Sequence, residues 1–170
     1  MERAWRCMEK RDLSAAAALM FAAVILVGVF ISYAGGDNGG DDDAELGDER
    51  ISVTVNGTEF TATLYDNEAA GSLLSMLREQ PMELSMEELN SSGKYCCLET
   101  DLPVSDIRPG TIHAGDISLY RGNCLMIFYA DHANTGMHSY TQIGRIDDLS
   151  GLAEALGDGT ASVVLAPIAV

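Results

Sequence analysis

The sequence predicts a mainly β fold, a closed barrel with two short helices, preceded by one N-terminal transmembrane helix. Three observations predict it. Between Ile51 and Ala166 apolar residues recur at every second position in short runs bounded by turn signals. Two segments in the same region instead carry helical spacing. Upstream, Ala15–Ile31 contains no charged or strongly polar side chain.

Residues 1–13 are charged and polar and are assigned to a cytoplasmic N-terminal segment. With Ser14 and Ser32–Ala34 the apolar run reaches the roughly 20 residues that cross a bilayer core as a helix. It has no polar face, which a helix of a soluble core would need. Arg3, Arg6, Lys10 and Arg11 precede it, so the positive-inside rule places residues 1–13 in the cytoplasm. Residues 14–34 thus read as a signal anchor in the cell membrane, and the chain after about residue 35 lies outside. The alternative is a secreted protein cleaved near Ala34, since Ser32-Tyr33-Ala34 offers small residues where a signal peptidase needs them. The apolar run exceeds the usual length of a cleaved peptide, and this favours the anchor.

Residues 35–49 are rich in Gly, Asp and Glu, with only Ala44 and Leu46 apolar. Such a stretch cannot bury enough surface to offset its ordering entropy, so a disordered acidic linker is expected. Residues 50–170 form the folded domain. Ile51, Val53 and Val55 alternate with polar residues, and Asn56-Gly57 signals a tight hairpin. Phe60, Ala62 and Leu64 continue the alternation. A helix follows, capped by Asp66 or Asn67, with Ala70, Leu73, Leu74 and Leu77 on its buried stripe and Pro81 stopping it. Met82, Leu84 and Met86 suggest a third strand. Residues 87–114 show only a short apolar piece at Tyr95–Leu98.

The clearest hairpin comes next. Ile117 and Leu119 alternate with Ser118 and Tyr120, as in a half-buried strand. Gly122-Asn123 supplies the turn, and Cys124–Tyr129 is apolar throughout, as in a strand buried on both faces. Residues 131–138 read as a loop and Ser139–Ile146 as a strand. A short helix from Ser150 turns Leu152, Ala153 and Leu156 inward and ends at Gly157. Ser162–Ala166 makes the last strand. About seven or eight strands with two helices suit a closed barrel.

The chain has 10 Lys+Arg against 26 Asp+Glu, a net charge of −16. Nucleic acid is excluded as a partner on that balance, because its binding leans on cationic contacts to phosphate. Of the four cysteines, Cys96, Cys97 and Cys124 fall in the folded domain. Adjacent Cys96 and Cys97 do not readily pair with each other. Export would permit a bridge from Cys124 to either of them, but the packed-core reading favours three reduced thiols acting as small hydrophobes.

Four pieces taken together resemble the bacterial cyclophilin-like domain family: Asn90-Ser91-Ser92-Gly93-Lys94-Tyr95, Pro109–Asp116, Cys124–Tyr129 and Ser139–Asp147. In the family the first piece looks like Gly-Asn-Glu-Lys-Tyr, so only Lys94 and Tyr95 carry over. The resemblance covers about residues 51–166 and implies a small closed barrel sharing the cyclophilin fold. It implies no isomerase, because the family is not one of prolyl isomerases as a class. The cyclophilin signatures Phe-His-Arg-Ile-Ile-Pro and Gln-Gly-Gly-Asp are missing here. Arg145 or Arg121 could stand in for the cyclophilin Arg, but neither sits in a matching motif, so no catalytic residue transfers.

No Cys/His spacing suits zinc and no Gly-rich phosphate loop occurs, so neither metal nor cofactor is expected. Asp131-His132 with His138 reads as a polar loop, and no nucleophile elbow exists. Aromatics beside one Arg make a groove for a small molecule or an extended peptide. The candidate residues are Tyr95, Tyr120, Met137, His138, Tyr140 and Arg145, some of which also suit barrel core and rim. The expected function is binding, without catalysis, by a membrane-anchored extracytoplasmic domain. The alternative is a divergent peptidyl-prolyl isomerase acting on exported proteins.

Overall fold

In a computed structural model that describes residues 45–135 and 138–168, the Asn56-Gly57 turn forms with positive φ at both positions, 47° and 90°. That geometry joins β1 (Leu46–Val55) to β2 (Thr58–Tyr65) as a two-residue hairpin. Helix α1 (Glu68–Glu79) follows, with Asn67 as its cap: the Asn67 side-chain oxygen accepts the Ala70 N–H at 2.9 Å. Ala69, Ala70, Leu73, Leu74 and Leu77 are buried, the stripe their spacing predicts. Strands β3 (Met82–Leu89) and β4 (Gly93–Cys97) come next, then two-residue strands β5 (Asp106–Ile107) and β6 (Thr111–Ile112). The chain continues through β7 (Asp116–Tyr120), β8 (Cys124–Phe128), the short β9 (His132–Ala133) and β10 (Tyr140–Ile146). It ends with helix α2 (Leu152–Leu156) and β11 (Ala161–Pro167).

The sheet runs β2-β1-β11-β3-β4-β8-β7-β10 and closes by pairing β10 back onto β2. Closure leaves no free edge among these strands, which is the main structural benefit of a barrel. β5 extends the sheet beyond one end of β10, and β6 pairs separately with β9. Inward-facing Ile51, Val53, Ala62, Leu64, Ile117, Leu119, Leu125, Ile127, Ile143 and Val163 form one core. Helix α1 packs against β10 and β11, and the Asn67 side chain ties it to β10 by donating to the Gln142 carbonyl at 2.8 Å.

Several expectations need correction. β1 starts at Leu46, inside the segment assigned to the linker, because Leu46 pairs with Tyr65 beyond a bulge and Glu49 meets Arg78 at 3.1 Å. Limited proteolysis of the full chain should therefore leave a resistant fragment that begins near Leu46. A fragment that begins at residue 50 or later would contradict this pairing. The hairpin between β7 and β8 turns on Arg121 and Gly122, whose φ values are 52° and 81°, one residue before the expected pair. Ala153 is exposed, since a helix of five residues has room for only Leu152 and Leu156 on its inner side.

The reduced state expected for the thiols is also overturned. Cys97 and Cys124 are joined by a disulfide, and Cys96 is the free cysteine of the described domain. Cys97 and Cys124 are direct cross-strand partners on the outer face of β4 and β8. Cys96 points the other way, beside Leu125 and against the core. Burial and the nearby Glu87 carboxylate push its thiol pKa up.

The anchor expected at residues 14–34, the cytoplasmic segment before it and residues 35–44 of the linker lie outside the described residues. Among the described residues no helix is long and apolar enough to cross a membrane.

Candidate functional site

The outer faces of β7 and β10 carry the polar residues that alternate with the core. On β7 these are Asp116, Ser118 and Tyr120, interleaved with inward-facing Ile117 and Leu119. On β10 they are Tyr140, Gln142 and Arg145. An unbroken strand would turn Arg145 inward beside Ile143, because side chains alternate with a period of two. A register shift between Gln142 and Gly144 adds one residue and swings Arg145 to the outside. Gly144 is needed there: a Cβ would lie 2.7 Å from the Thr63 carbonyl oxygen on β2. The bulge therefore both closes the barrel and sets Arg145 in place.

This outer face is not a bare surface. Ser118 and Tyr120 are only 6% and 8% exposed, not half-buried as their alternation predicts. The segment carrying β5 and β6 faces Ser118, while the rings of His138 and Tyr140 pack against Tyr120. That segment and the outer face enclose a cavity of about 370 Å³, lined on one side by Ile107, Ile112 and His113 and on the other by Asp116, Ser118, Tyr140, Gln142 and Arg145. Asn134 holds this cover, donating to the carbonyls of Pro109 and His138, both at 2.9 Å.

Charge in the cavity is paired but not locked. The Arg145 Nε lies 3.8 Å from Asp116 Oδ1, beyond hydrogen-bond length. The other oxygen, Asp116 Oδ2, accepts the His113 N–H at 2.7 Å. Burial raises the Asp116 pKa, against the pull of the His113 N–H and Arg145. At the rim, Asp131 accepts the Ala114 N–H at 2.9 Å, which lowers its pKa, and it sits 3.7 Å from His113 Nδ1.

The structure brings four of the candidate residues into this region. Tyr120, His138 and Tyr140 form a ring cluster, with centroids 5.8 Å apart for Tyr120–His138 and 5.7 Å for Tyr120–Tyr140. Phe128 meets Tyr140 edge-on at 6.3 Å. Tyr140 belongs to both the cluster and the cavity wall, and burial followed by the neighbouring Tyr120 raises its pKa. Arg145 shares that wall. Tyr95 stands apart on β4, paired with Met126 and donating to Glu87 at 2.9 Å, and it does not line the cavity. Met137 lies outside the described residues.

Sequence reasoning missed Asp116, Ser118, Gln142 and His113. The i, i+2 spacing of Asp116 with Ser118, and of Tyr140 with Gln142, was a usable signal, but only with the pairing of β7 to β10 in hand. A second missed cluster stands around Lys94. Its side chain is fully buried, its Nζ bonds Glu88 and donates to the Gly159 carbonyl at 2.7 Å, and it lies 5.8 Å from the Tyr129 ring centroid. Burial alone would raise Glu88, but Lys94 and the Tyr129 hydroxyl bring its pKa below the ordinary value. Tyr129 is pushed up to about 12, by burial first and then by Glu88. This cluster ties β3, β4 and the turn before β11 together. Among the described residues, no group of three or more His, Cys, Asp or Glu is placed to hold a metal ion.

A family model described as the cyclophilin-like family matches residues 53–166, nearly all of the barrel. The chain belongs to the cyclophilin-like family. Lys94 and Tyr95, the two residues that carry over from the family motif, sit on β4 of this cyclophilin-like domain, one inside the barrel and one outside. The domain is also similar to the solution structure of a hypothetical protein from Archaeoglobus fulgidus. That likeness has 17% identity and a TM-score of 0.44, over 75% of this chain and 98% of the other. No curated protein matches the chain.

Proposed function

We propose that residues 14–34 hold this protein in the cell membrane, with the cyclophilin-like domain outside. There it binds a small ligand, or part of an extended peptide, without turning it over. The observation that carries the binding reading is the cavity between β7, β10 and the β5–β6 segment. Its roughly 370 Å³ falls within the range of small-molecule sites, and its lining is mainly polar, with a charged pair and hydroxyl and amide groups beside Ile107, Ile112 and Ile117. The Cys97–Cys124 bridge supports the external location, because disulfides persist in oxidising compartments. The non-catalytic reading draws support from the sequence, which carries neither of the cyclophilin signatures Phe-His-Arg-Ile-Ile-Pro and Gln-Gly-Gly-Asp.

Two measurements test this. The full-length protein should stay with the membrane after carbonate extraction. A mature N-terminus at Gly35, with the protein free in the medium, would favour secretion instead. Native mass spectrometry of the detergent-extracted chain should show an added small mass that is absent from an Arg145→Ala variant of unchanged melting temperature. An added mass retained in that variant would place the binding site elsewhere.

A further inference from the structure

The open ion pair in the cavity restricts the ligand class. Asp116 and Arg145 face the same space from adjacent strands, held 3.8 Å apart. The Arg145 side chain is 45% exposed, and among the described residues its guanidinium makes no hydrogen bond. Its planar fork of N–H donors is thus available to a carboxylate. Asp116 Oδ2 is satisfied by a backbone N–H, while Oδ1 keeps capacity to accept.

A simple anion fits this arrangement poorly. It would meet Asp116 directly, Asp131 at the rim and a chain whose net charge is −16. A simple cation would meet Arg145 at contact distance from its intended partner. A ligand that carries both charges close together leaves neither group opposed, because each ligand charge lies against its opposite. Neighbouring polar atoms of Ser118 and Tyr140, with apolar Ile107 and Ile112, leave room for a side chain beside those charges.

We infer that the cavity takes a small zwitterion, an α-amino acid whose carboxylate sits on Arg145 and whose ammonium sits on Asp116. This rests on the reading of the cavity as a binding site and assigns its chemical class. The ligand's two charges lie alongside the two protein charges, which the β10 bulge and the His113 N–H already position on adjacent strands.

The test is calorimetric titration of the full chain in detergent with a panel of common L-amino acids. Each is compared with its N-acetyl derivative, which lacks the ammonium, and its amide, which lacks the carboxylate. At least one free amino acid should bind, and each derivative should bind roughly tenfold or more weakly, as loss of a charge-assisted hydrogen bond implies. Arg145→Gln should weaken the free acid but leave its amide unchanged, and Asp116→Asn should do the same for the N-acetyl derivative. These paired effects separate a direct contact from a general loss of fold. A derivative that binds as tightly as its parent would overturn the zwitterion while keeping the site. Binding by no member of the panel also overturns it. The added mass described above then decides separately whether the cavity binds anything.

Discussion

Reducing the Cys97–Cys124 bridge is expected to lower the stability of the cyclophilin-like domain by about 3–4 kcal/mol. The two cysteines are 27 residues apart, and closing a loop of that length removes about this much chain entropy from the unfolded state. The bridge also ties β4 to β8 on the face that carries the ring cluster, since Cys124 pairs with Tyr120 on β7. A loss of this size is a large share of the roughly 5–15 kcal/mol that holds a domain folded. The check is equilibrium unfolding with and without a phosphine reductant, together with a thiol count in denaturant. Cys97 and Cys124 should be unreactive until reduced, while Cys96 reacts once the domain unfolds. A Cys96→Ala variant should unfold with the same sensitivity to reductant. Reaction of all of Cys96, Cys97 and Cys124 without reductant would contradict the bridge.

Ile127→Ala should cost a similar amount, about 2–5 kcal/mol. Ile127 is 0% exposed and lies between Lys94 on β4 and Ile117 on β7, at the centre of the sheet. Removing three carbons there leaves a cavity that two hydrogen-bonded neighbours prevent from collapsing. In urea, where unfolding slopes run about 1–3 kcal/mol per molar, the midpoint should drop by roughly 1 M or more. An unchanged midpoint would show that the β8 centre is not the core.

The barrel was legible where local chemistry decides structure. Asn56-Gly57 names its own turn, the stripe from Ala70 to Leu77 names the helix, and an uninterrupted apolar run names β8 as covered on both faces. What stayed hidden depends on pairing between distant segments. Strands β5, β6 and β9 are two residues each, too short to show a period, yet they build the cavity cover. The disulfide required knowing that β4 lies beside β8. Cys124 is both a packed residue, 3% exposed, and a bridged one, so reading it as a hydrophobe was half the answer. The aromatic part of the site was readable because Tyr120, His138 and Tyr140 flank strands found by their pattern. Arg145 shares the cavity wall with Tyr140, and the reason it faces that way, a bulge at Gly144 against β2, is a tertiary feature. Asp116 was passed over because a lone carboxylate at the start of a strand looks like surface until Arg145 is set opposite it.

The central claim is that this cyclophilin-like domain binds without catalysing. Its most direct test is a prolyl cis-trans isomerisation assay of the detergent-solubilised full chain on a capped Ala-Pro peptide. The uncatalysed reaction takes tens of seconds at 25 °C, slow enough for any acceleration to be seen. The account predicts the uncatalysed rate at every protein concentration. A rate that rises in proportion to protein, and returns to the uncatalysed value in a folded Arg145→Ala variant, would contradict it and make the cavity an isomerase site.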